Sequence, residues 1–208
     1  MIKYFSLMLL LLLGLEASQV PLSPTLDSID IKIKGKKIHI SRIQDTNHKL
    51  DNNYSLTSRL SPPFEIQPYI VLEGIQTISE LDVFKFIQKD LKKGHLLIDT
   101  RLEHWFYQSS IPTAINIPFT RINDSKKILK KLSIRKKGEK LNFSKAKKIL
   151  IFDNGPWCPQ ATEAIKALVK LGYPKKKILY YRGGMQYWNI LGLVNSYPKK
   201  PQGTKYVK

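Results

Sequence analysis

The only cysteine of this 208-residue chain lies in a short loop between an apolar run and a predicted helix. Residues 153–158 read Asp-Asn-Gly-Pro-Trp-Cys, follow the apolar run at residues 148–152 and precede Pro159. Because proline favours the first turn of a helix, we expect the sulfur of Cys158 near a helix N-terminus. The helix dipole there stabilises a thiolate and lowers the thiol pKa. The spacing predicts a nucleophilic thiol, and the alternative is a small buried cysteine at a helix cap.

The same loop is a candidate cradle for an anion. A strand that opens through a Gly-containing loop into an amphipathic helix directs successive backbone N–H groups at one point. Asn154 and Gly155 would form part of this cradle, and Trp157 would form a wall of the pocket rather than a stacking platform. The sequence therefore predicts a site that holds a small anion or a thiolate.

Short apolar strands alternate with helical patterns after residue 75. Strands are predicted at residues 96–98, 115–118, 148–152 and 178–181. Helices are predicted from the capping residue Ser79 to Gly94, at residues 103–107, around residues 128–132, at residues 161–171 and at residues 185–191. This alternation indicates an α/β fold with a mainly parallel central sheet and helices on both faces. Ligands of such sheets bind at the carboxyl ends of the strands, where the cysteine loop lies.

The residues before this alternation predict a smaller β-rich extension. Residues 28–43 alternate apolar and polar side chains around Gly35, which predicts a β-hairpin. Two strands do not hold a core alone, so the hairpin must pack on the larger domain or on a partner. Residues 44–73 are polar and then proline-rich, and they are predicted to form a lead-in without repeats.

The first 18 residues have the pattern of a secretory signal peptide, with a basic start, an apolar run at residues 4–15 and small residues at its end. The run is shorter than the roughly 20 apolar residues of a membrane-spanning helix. We therefore expect an exported, periplasmic protein with an extension at residues 19–74, a domain at residues 75–196 and a basic tail at residues 197–208. A single cysteine excludes an intrachain disulfide but permits pairing with a partner's thiol.

The formal net charge is +19 at pH 7, and lysines in scattered runs supply most of it. These runs neither follow one helix nor alternate with aromatic residues, as a surface that stacks nucleic-acid bases would. We therefore expect solvated surface lysines and no nucleic-acid partner. Weak attraction to an anionic membrane surface is the alternative.

Three blocks of residues resemble the rhodanese-like (sulfurtransferase) family, in the family's order, over residues 75–196. Residues 96–101, Leu-Leu-Ile-Asp-Thr-Arg, are similar to its second strand with an Asp-x-Arg exit. Residues 111–118, Ile-Pro-Thr-Ala-Ile-Asn-Ile-Pro, are close to its Ile-Pro-Gly-Ala-Ile-Asn-Ile-Pro segment, and residues 182–188 resemble its Gly-Gly-x-x-x-Trp ending. The loop is similar to the Asn-Gly-Pro-x-Cys-Pro loop of exported relatives that carry a cysteine at both ends. The resemblance implies the rhodanese-like fold and sulfane-sulfur transfer, in which a loop cysteine carries the sulfur as a persulfide.

In the family that this chain resembles, the first loop residue is the cysteine nucleophile, and here that position is Asp153. A carboxylate cannot carry a persulfide, so the resemblance favours a non-catalytic or weakly active module that binds a small sulfur-containing anion or a partner protein. Asp153 would then accept the N–H bonds of the cradle with a lowered pKa, or would bond only its own backbone two residues on. The first alternative is sulfur transfer or thiol exchange by Cys158 with a partner protein's thiol. The second is a thioredoxin-like monothiol redox protein, since Trp-Cys-Pro also lies between a strand and a helix there.

Arg101 and Arg182 are candidate binding residues that would attract an anionic sulfur donor to the pocket. For Arg101 the alternative is an ion pair with Asp99 or Glu103. His104 has no second histidine or cysteine at the spacing of metal ligands, so we expect no metal and no cofactor. We expect His104 to be a surface residue and not a general base.

Overall fold

The computed structural model describes residues 19–123 and 126–200. The predicted signal peptide at residues 1–18 and the end of the predicted basic tail, residues 201–208, lie outside this part of the chain. Within the two described ranges, no helix has both the length and the apolar character that crossing a bilayer requires.

The strands of the described residues are, in chain order, β1 (Ile29–Ile33), β2 (Lys36–Ile40), β3 (Gln76–Ile78), β4 (Leu96–Asp99), β5 (Ile115–Asn116), β6 (Arg135–Lys137), β7 (Lys140–Asn142), β8 (Ile149–Phe152) and β9 (Ile178–Tyr181). The α-helices are α1 (Glu80–Lys85), α2 (Glu103–Gln108), α3 (Lys126–Lys131), α4 (Gln160–Lys170) and α5 (Gly184–Ile190). Helix α1 continues through a π-helical turn, Phe86–Asp90, and a 3₁₀ turn, Leu91–Lys93.

A five-stranded parallel sheet in the order β3-β9-β8-β4-β5 forms the centre of the domain. Every residue of β8, the middle strand, is buried, as expected for a strand that is covered on both faces. Two clusters of buried apolar side chains flank the sheet. Because the strands run parallel, the loops that follow β4, β8 and β9 meet at one edge.

The local sequence explains where the helices near this edge begin and end. Ser79 and Asp82 form a capping box at the start of α1, and Gly94 ends the helical segment in a left-handed conformation. Gly184 begins α5 with a φ of 52°, and a Cβ at this position would lie 2.5 Å from the carbonyl oxygen of Asp153. This turn therefore requires glycine. The buried face of α4 consists of small and aliphatic side chains at helical spacing, namely Ala161, Ala164, Ile165 and Leu168.

The N-terminal hairpin shares a core with the sheet. Strands β1 and β2 pair antiparallel, and their isoleucines are buried in one cluster with aromatic residues of the α1 segment and α5. The backbone N–H of Ile43 donates to the carbonyl of Gly192 at 2.7 Å, which fixes the end of the hairpin to the segment after α5. The hairpin therefore packs on the domain, as one of the two sequence-based alternatives predicted.

The predicted strands and helices of the domain are present, with boundaries that differ by one or two residues. Strand β3 and the β6–β7 hairpin were not predicted, because they are short and, in β6 and β7, rich in lysine, so that no apolar periodicity marks them. Leu81 of α1 is an apolar residue that is 50% exposed. The buried face is centred on Val83 and Ile87, which places Leu81 on the other side of the helix.

Replacing Ile29 by alanine is expected to lower the free energy of unfolding by about 2–5 kcal/mol. The reason is that Ile29 is 1% exposed in the shared core. Urea unfolding followed by tryptophan fluorescence measures this change. Lys32→Ala, on the exposed side of the same strand, is the matched control and should change the free energy of unfolding by at most about 0.5 kcal/mol. Equal effects of the two substitutions would contradict the packing of the hairpin on the domain.

Candidate active site

The cysteine loop leaves the carboxyl end of β8 and enters α4, and α5 holds it from one side. The carbonyl oxygen of Asp153 accepts the N–H of Met185 at 3.0 Å, and that of Asn154 accepts the N–H of Gln186 at 2.8 Å. Gly155 has a φ of 142°, and a Cβ there would lie 2.7 Å from the Cβ of Gln186. The loop is therefore fixed by close contacts that a larger residue at this glycine would disrupt.

The carboxylate of Asp153 is fully buried and occupies the loop as a bound anion would. Its Oδ1 accepts the N–H of Gly155 at 3.0 Å, and its Oδ2 accepts the N–H of Ala161 at 2.7 Å. Ala161 lies in the first turn of α4, where N–H groups lack partners within the helix. The carboxylate therefore caps α4 while it shapes the loop. The sequence left two interpretations of Asp153 open, and the structure contains both. Asp153 accepts the N–H of Gly155, two residues on, and it also accepts the N–H of Ala161.

Burial raises the pKa of Asp153 to about 7, although the hydrogen bonds from Ala161 and Gly155 lower it. The negative charge of Asp99 raises it as well. The expectation of a lowered pKa for Asp153 is therefore wrong. The loss of solvation outweighs the donors, because the carboxyl group has no contact with water.

Cys158 lies inside the loop and is 1% exposed. Three donors face its sulfur: the side-chain amide of Asn154, 3.6 Å away, and the backbone N–H groups of Asn154 and Gln160. Burial and the neighbouring carboxylate of Asp153 nevertheless raise the pKa of the thiol. The predicted place of Cys158 beside a helix N-terminus is confirmed, because α4 begins at Gln160. The predicted lowered pKa is wrong, because the sequence could not show that the thiol is enclosed.

Arg101 belongs to a buried polar network behind the loop. Its Nη2 and Nε donate to the carboxylate of Asp99 at 2.7 and 3.0 Å, and both side chains are fully buried. Its Nη1 donates to the hydroxyl of Tyr54 at 2.8 Å and to Oδ1 of Asn154 at 3.3 Å. The predicted pairing with Asp99 is confirmed, whereas Glu103 pairs elsewhere. Anion binding by Arg101 stays a prediction, and it would require these hydrogen bonds to break.

Tyr54 is a residue of this site that the sequence did not reveal. It comes from the N-terminal extension, is 5% exposed, and donates its hydroxyl proton to Oδ1 of Asn154 at 2.8 Å. This bond fixes the amide of Asn154 so that its nitrogen faces the sulfur of Cys158. Tyr54 precedes Asn154 by 100 residues, so the only local signal is the preceding Asn52, which caps a short turn.

Residues 54–67, which we call the strap, cover the loop. The backbone N–H of Gln67 donates to the carbonyl of Pro156 at 2.7 Å, and that of Glu65 donates to the carbonyl of Trp157 at 3.2 Å. The strap therefore lies along the loop in the manner of an added extended chain and satisfies two of its carbonyl groups.

Aromatic contacts join the strap to the same part of the loop. The guanidinium carbon of Arg59 lies 3.6 Å from the centre of the Trp157 ring, and the ring of Phe64 meets Trp157 edge to face at 5.1 Å. Trp157 also donates its indole N–H to Gln186 at 3.2 Å. The strap therefore covers the surface that Trp157 presents, and the role of Trp157 as the wall of a pocket stays a prediction.

Arg182 holds the strap. Its Nη2 and Nε donate to the carbonyl of Gln67 at 2.9 and 3.1 Å, and the side chain of Gln67 accepts the hydroxyl of Thr162 at 2.9 Å. Attraction of an anion by Arg182 stays a prediction, and it would require the strap to move.

Two further titratable residues, His104 and Tyr180, differ in their exposure to solvent. His104 is exposed, with its ring centre 5.6 Å from that of Trp105, so the predicted surface position is confirmed. Tyr180 of β9 is buried, and its hydroxyl has no hydrogen-bond partner among the described residues. Burial and the charge of Asp153 raise the pKa of Tyr180. In the part of the chain that the structure describes, no group of three His, Cys, Asp or Glu residues is arranged to hold a metal ion.

The raised pKa of Asp153 predicts a pH-dependent contribution to stability. A carboxyl group with a pKa of about 7 when folded and about 4 when unfolded binds more protons in the folded state between these values, so the free energy of unfolding falls as the pH rises through this window. Between about pH 5 and about pH 8, we expect the free energy of unfolding of the wild-type protein to fall by a few kcal/mol relative to that of Asp153→Asn. Urea unfolding of both proteins measures this, and the histidines cancel because both proteins contain them. A difference that does not change with pH would contradict the raised pKa.

The strap is expected to limit the reaction of Cys158 with the thiol reagent dithiobis(nitrobenzoate). Arg59→Ala combined with Phe64→Ala removes two aromatic contacts worth about 1 kcal/mol each, and should speed the modification of the native protein by about thirtyfold. Leu60→Ala combined with Ile66→Ala is the matched control, since these strap residues are 86% and 88% exposed. Equal rates in the two double variants would show that the strap does not control access to the thiol.

This chain has relatives among protein families and among solved structures. The family model of the rhodanese-like domain matches residues 85–191, just over half of the chain. Among solved structures, the BH2092 protein from Bacillus halodurans is 28% identical, with 56% of this chain and 71% of that chain covered and a TM-score of 0.41. A rhodanese-related protein from Thermoplasma volcanium is 21% identical, with 59% and 99% covered and a TM-score of 0.41. No curated protein sequence matches the chain. On the strength of the family model, the chain belongs to the rhodanese-like domain family.

Proposed function

We propose that this chain is a rhodanese-like module that does not transfer sulfur and that binds a partner protein. The observation that carries the proposal is the carboxylate of Asp153, whose oxygens accept the N–H groups of Gly155 and Ala161 at 3.0 and 2.7 Å. These are donors that a loop of this kind would otherwise turn toward a bound anion or a thiolate.

Sulfur transfer requires a group that takes up a sulfur atom and then releases it. A thiolate does so by forming and breaking an S–S bond, whereas a carboxylate forms no such bond. The first position of the loop therefore cannot carry a persulfide in this chain. The Asp153 side chain is instead a structural acceptor that caps α4.

A small sulfur-containing anion such as thiosulfate is a poor ligand for this loop. The N–H groups of Gly155 and Ala161 are already bonded, and Asp153 becomes negatively charged above about pH 7, which repels an anion. The strap also closes the loop from outside. We therefore favour a partner protein over a small anion as the ligand of the module.

The second candidate function is thiol chemistry at Cys158. It is favoured by the three donors around the sulfur, which would stabilise a thiolate if the strap opened. In that reaction the thiolate would attack the outer sulfur of thiosulfate, form the S–S bond of a persulfide and release sulfite, and the thiol proton would pass to solvent. A partner protein's thiol or cyanide would then accept the outer sulfur.

Mass spectrometry of the purified protein after exposure to thiosulfate separates the two candidates. We expect no added sulfur on the wild-type protein and no thiosulfate:cyanide turnover. A single added sulfur that is absent in Cys158→Ser would overturn the proposal in favour of the second candidate. Asp153→Cys is the complementary variant: it should gain measurable turnover, and more of it when combined with Arg59→Ala and Phe64→Ala. An Asp153→Cys protein that folds and stays inactive in both backgrounds would contradict the idea that the nucleophile and the strap are what prevents turnover.

Export is part of the proposal and is supported by the sequence of the first 18 residues. The module would then act in the periplasm, where a single cysteine cannot form an intrachain disulfide. Cell fractionation and the N-terminal sequence of the mature protein test this, and a cytoplasmic chain that keeps its first residues would contradict it.

A further inference from the structure

A groove lies along β5, the last strand in the order of the central sheet. It has a volume of about 700 Å³, within the range of roughly 300–1,000 Å³ that is usual for ligand sites. Its walls come from α2, from β5 and the residues that flank it, and from α3. Strand β4 separates β5 from β8, and the groove shares no lining residue with the loop at residues 153–158. A ligand here would therefore be independent of the chemistry of the loop.

The charge of the groove is predominantly positive. Arg121, Lys127 and Lys131 line it together with one acid, Glu103, which pairs with Arg121 at 3.5 Å. Lys127 and Lys131 are four residues apart and so lie on one face of α3, where like charges destabilise a helix. Partial burial and the charges of Lys127 and Lys34 lower the pKa of Lys131. An anionic group between these lysines would remove this repulsion.

The groove also contains a free edge of the central sheet. Strand β5 is the last strand and pairs only with β4 in the described sheet. The N–H of Ile117 donates to the carbonyl of Asp99 in β4 at 3.1 Å. Because backbone groups alternate in direction along a strand, the N–H and C=O of Asn116 point away from β4, toward the groove. Such an edge is a template for an added strand.

We propose that this groove binds an extended acidic peptide segment of a partner protein, which adds to the edge of β5 and places carboxylates against Lys127 and Lys131. The apolar side chains of the groove, among them Phe106, Ile115 and Ile128, would contact the alternate side chains of the peptide. The last eight residues of the chain carry two lysines and no acidic side chain, so they do not match the charge of the groove. An acidic segment from another protein matches its charge, its apolar floor and its strand edge together.

The probe that tests this is a rhodamine-labelled Glu-Val-Glu-Val-Glu-Val peptide, with Lys-Val-Lys-Val-Lys-Val as its reference. Fluorescence anisotropy with the full mature protein should show binding of the acidic peptide and at least tenfold weaker binding of the basic one. Lys127→Glu combined with Lys131→Glu should weaken binding of the acidic peptide by at least about tenfold. Lys166→Glu combined with Lys170→Glu on α4 is the matched control, with the same spacing and charge change on exposed residues outside the groove. We expect it to weaken binding by less than about threefold.

Amide hydrogen exchange gives the second measurement, because strand addition should slow exchange of the Asn116 amide on peptide binding. Equal weakening by the two double variants would overturn the proposal, since binding would then follow net charge alone. Binding without protection of the Asn116 amide would overturn the strand-addition geometry. The inference rests on the part of the proposed function that assigns a partner protein. Neither result depends on whether the cysteine loop transfers sulfur, so failure here is distinguishable from failure of the sulfur-transfer test.

Discussion

The buried carboxylate of Asp153 is the interaction on which the candidate site depends. It spans the loop from Gly155 to Ala161 and so fixes the loop and the first turn of α4 with one side chain. Enclosing a carboxyl group is costly unless its oxygens are bonded, and here both are. The same bonds leave the loop with fewer N–H groups for a ligand. One residue therefore both stabilises this loop and occupies N–H groups that a bound anion would use.

A second buried network makes the N-terminal extension part of the site. The ion pair of Arg101 with Asp99 is fully buried, and Nη1 of the guanidinium donates to Tyr54 and to Asn154. A buried ion pair adds little net stability by itself, but loss of one partner leaves an uncompensated charge. Tyr54 is thereby held at a defined position, and the rest of the strap lies over the loop. The extension is a structural component of the site and not an appendage.

The sequence predicted the elements that have strong apolar periodicity and missed what long-range packing determines. The parallel sheet, the loop after β8, the hairpin and the pairing of Arg101 with Asp99 all follow from local patterns or spacing. The prediction of a lowered pKa for Cys158 was wrong, because it assumed that the thiol is open to solvent. Tyr54 and the rest of the strap enclose the loop that holds the thiol. Their contacts with the loop join residues about 90–100 positions apart. No periodicity in one sequence records such a contact.

The enclosure of the loop bears on where the proposed partner protein would bind. With the loop donors bonded internally and the strap over Trp157, a ligand at the usual edge of the sheet would have to displace hydrogen bonds of Gln67 and Arg182 as well as two aromatic contacts. A ligand at the β5 edge would displace no protein contact that holds the loop, and it would gain backbone and charge pairing. Binding at the loop would require free energy to break the contacts of the strap, whereas binding at β5 would not. This difference favours the sheet edge over the loop as the site of the proposed partner protein.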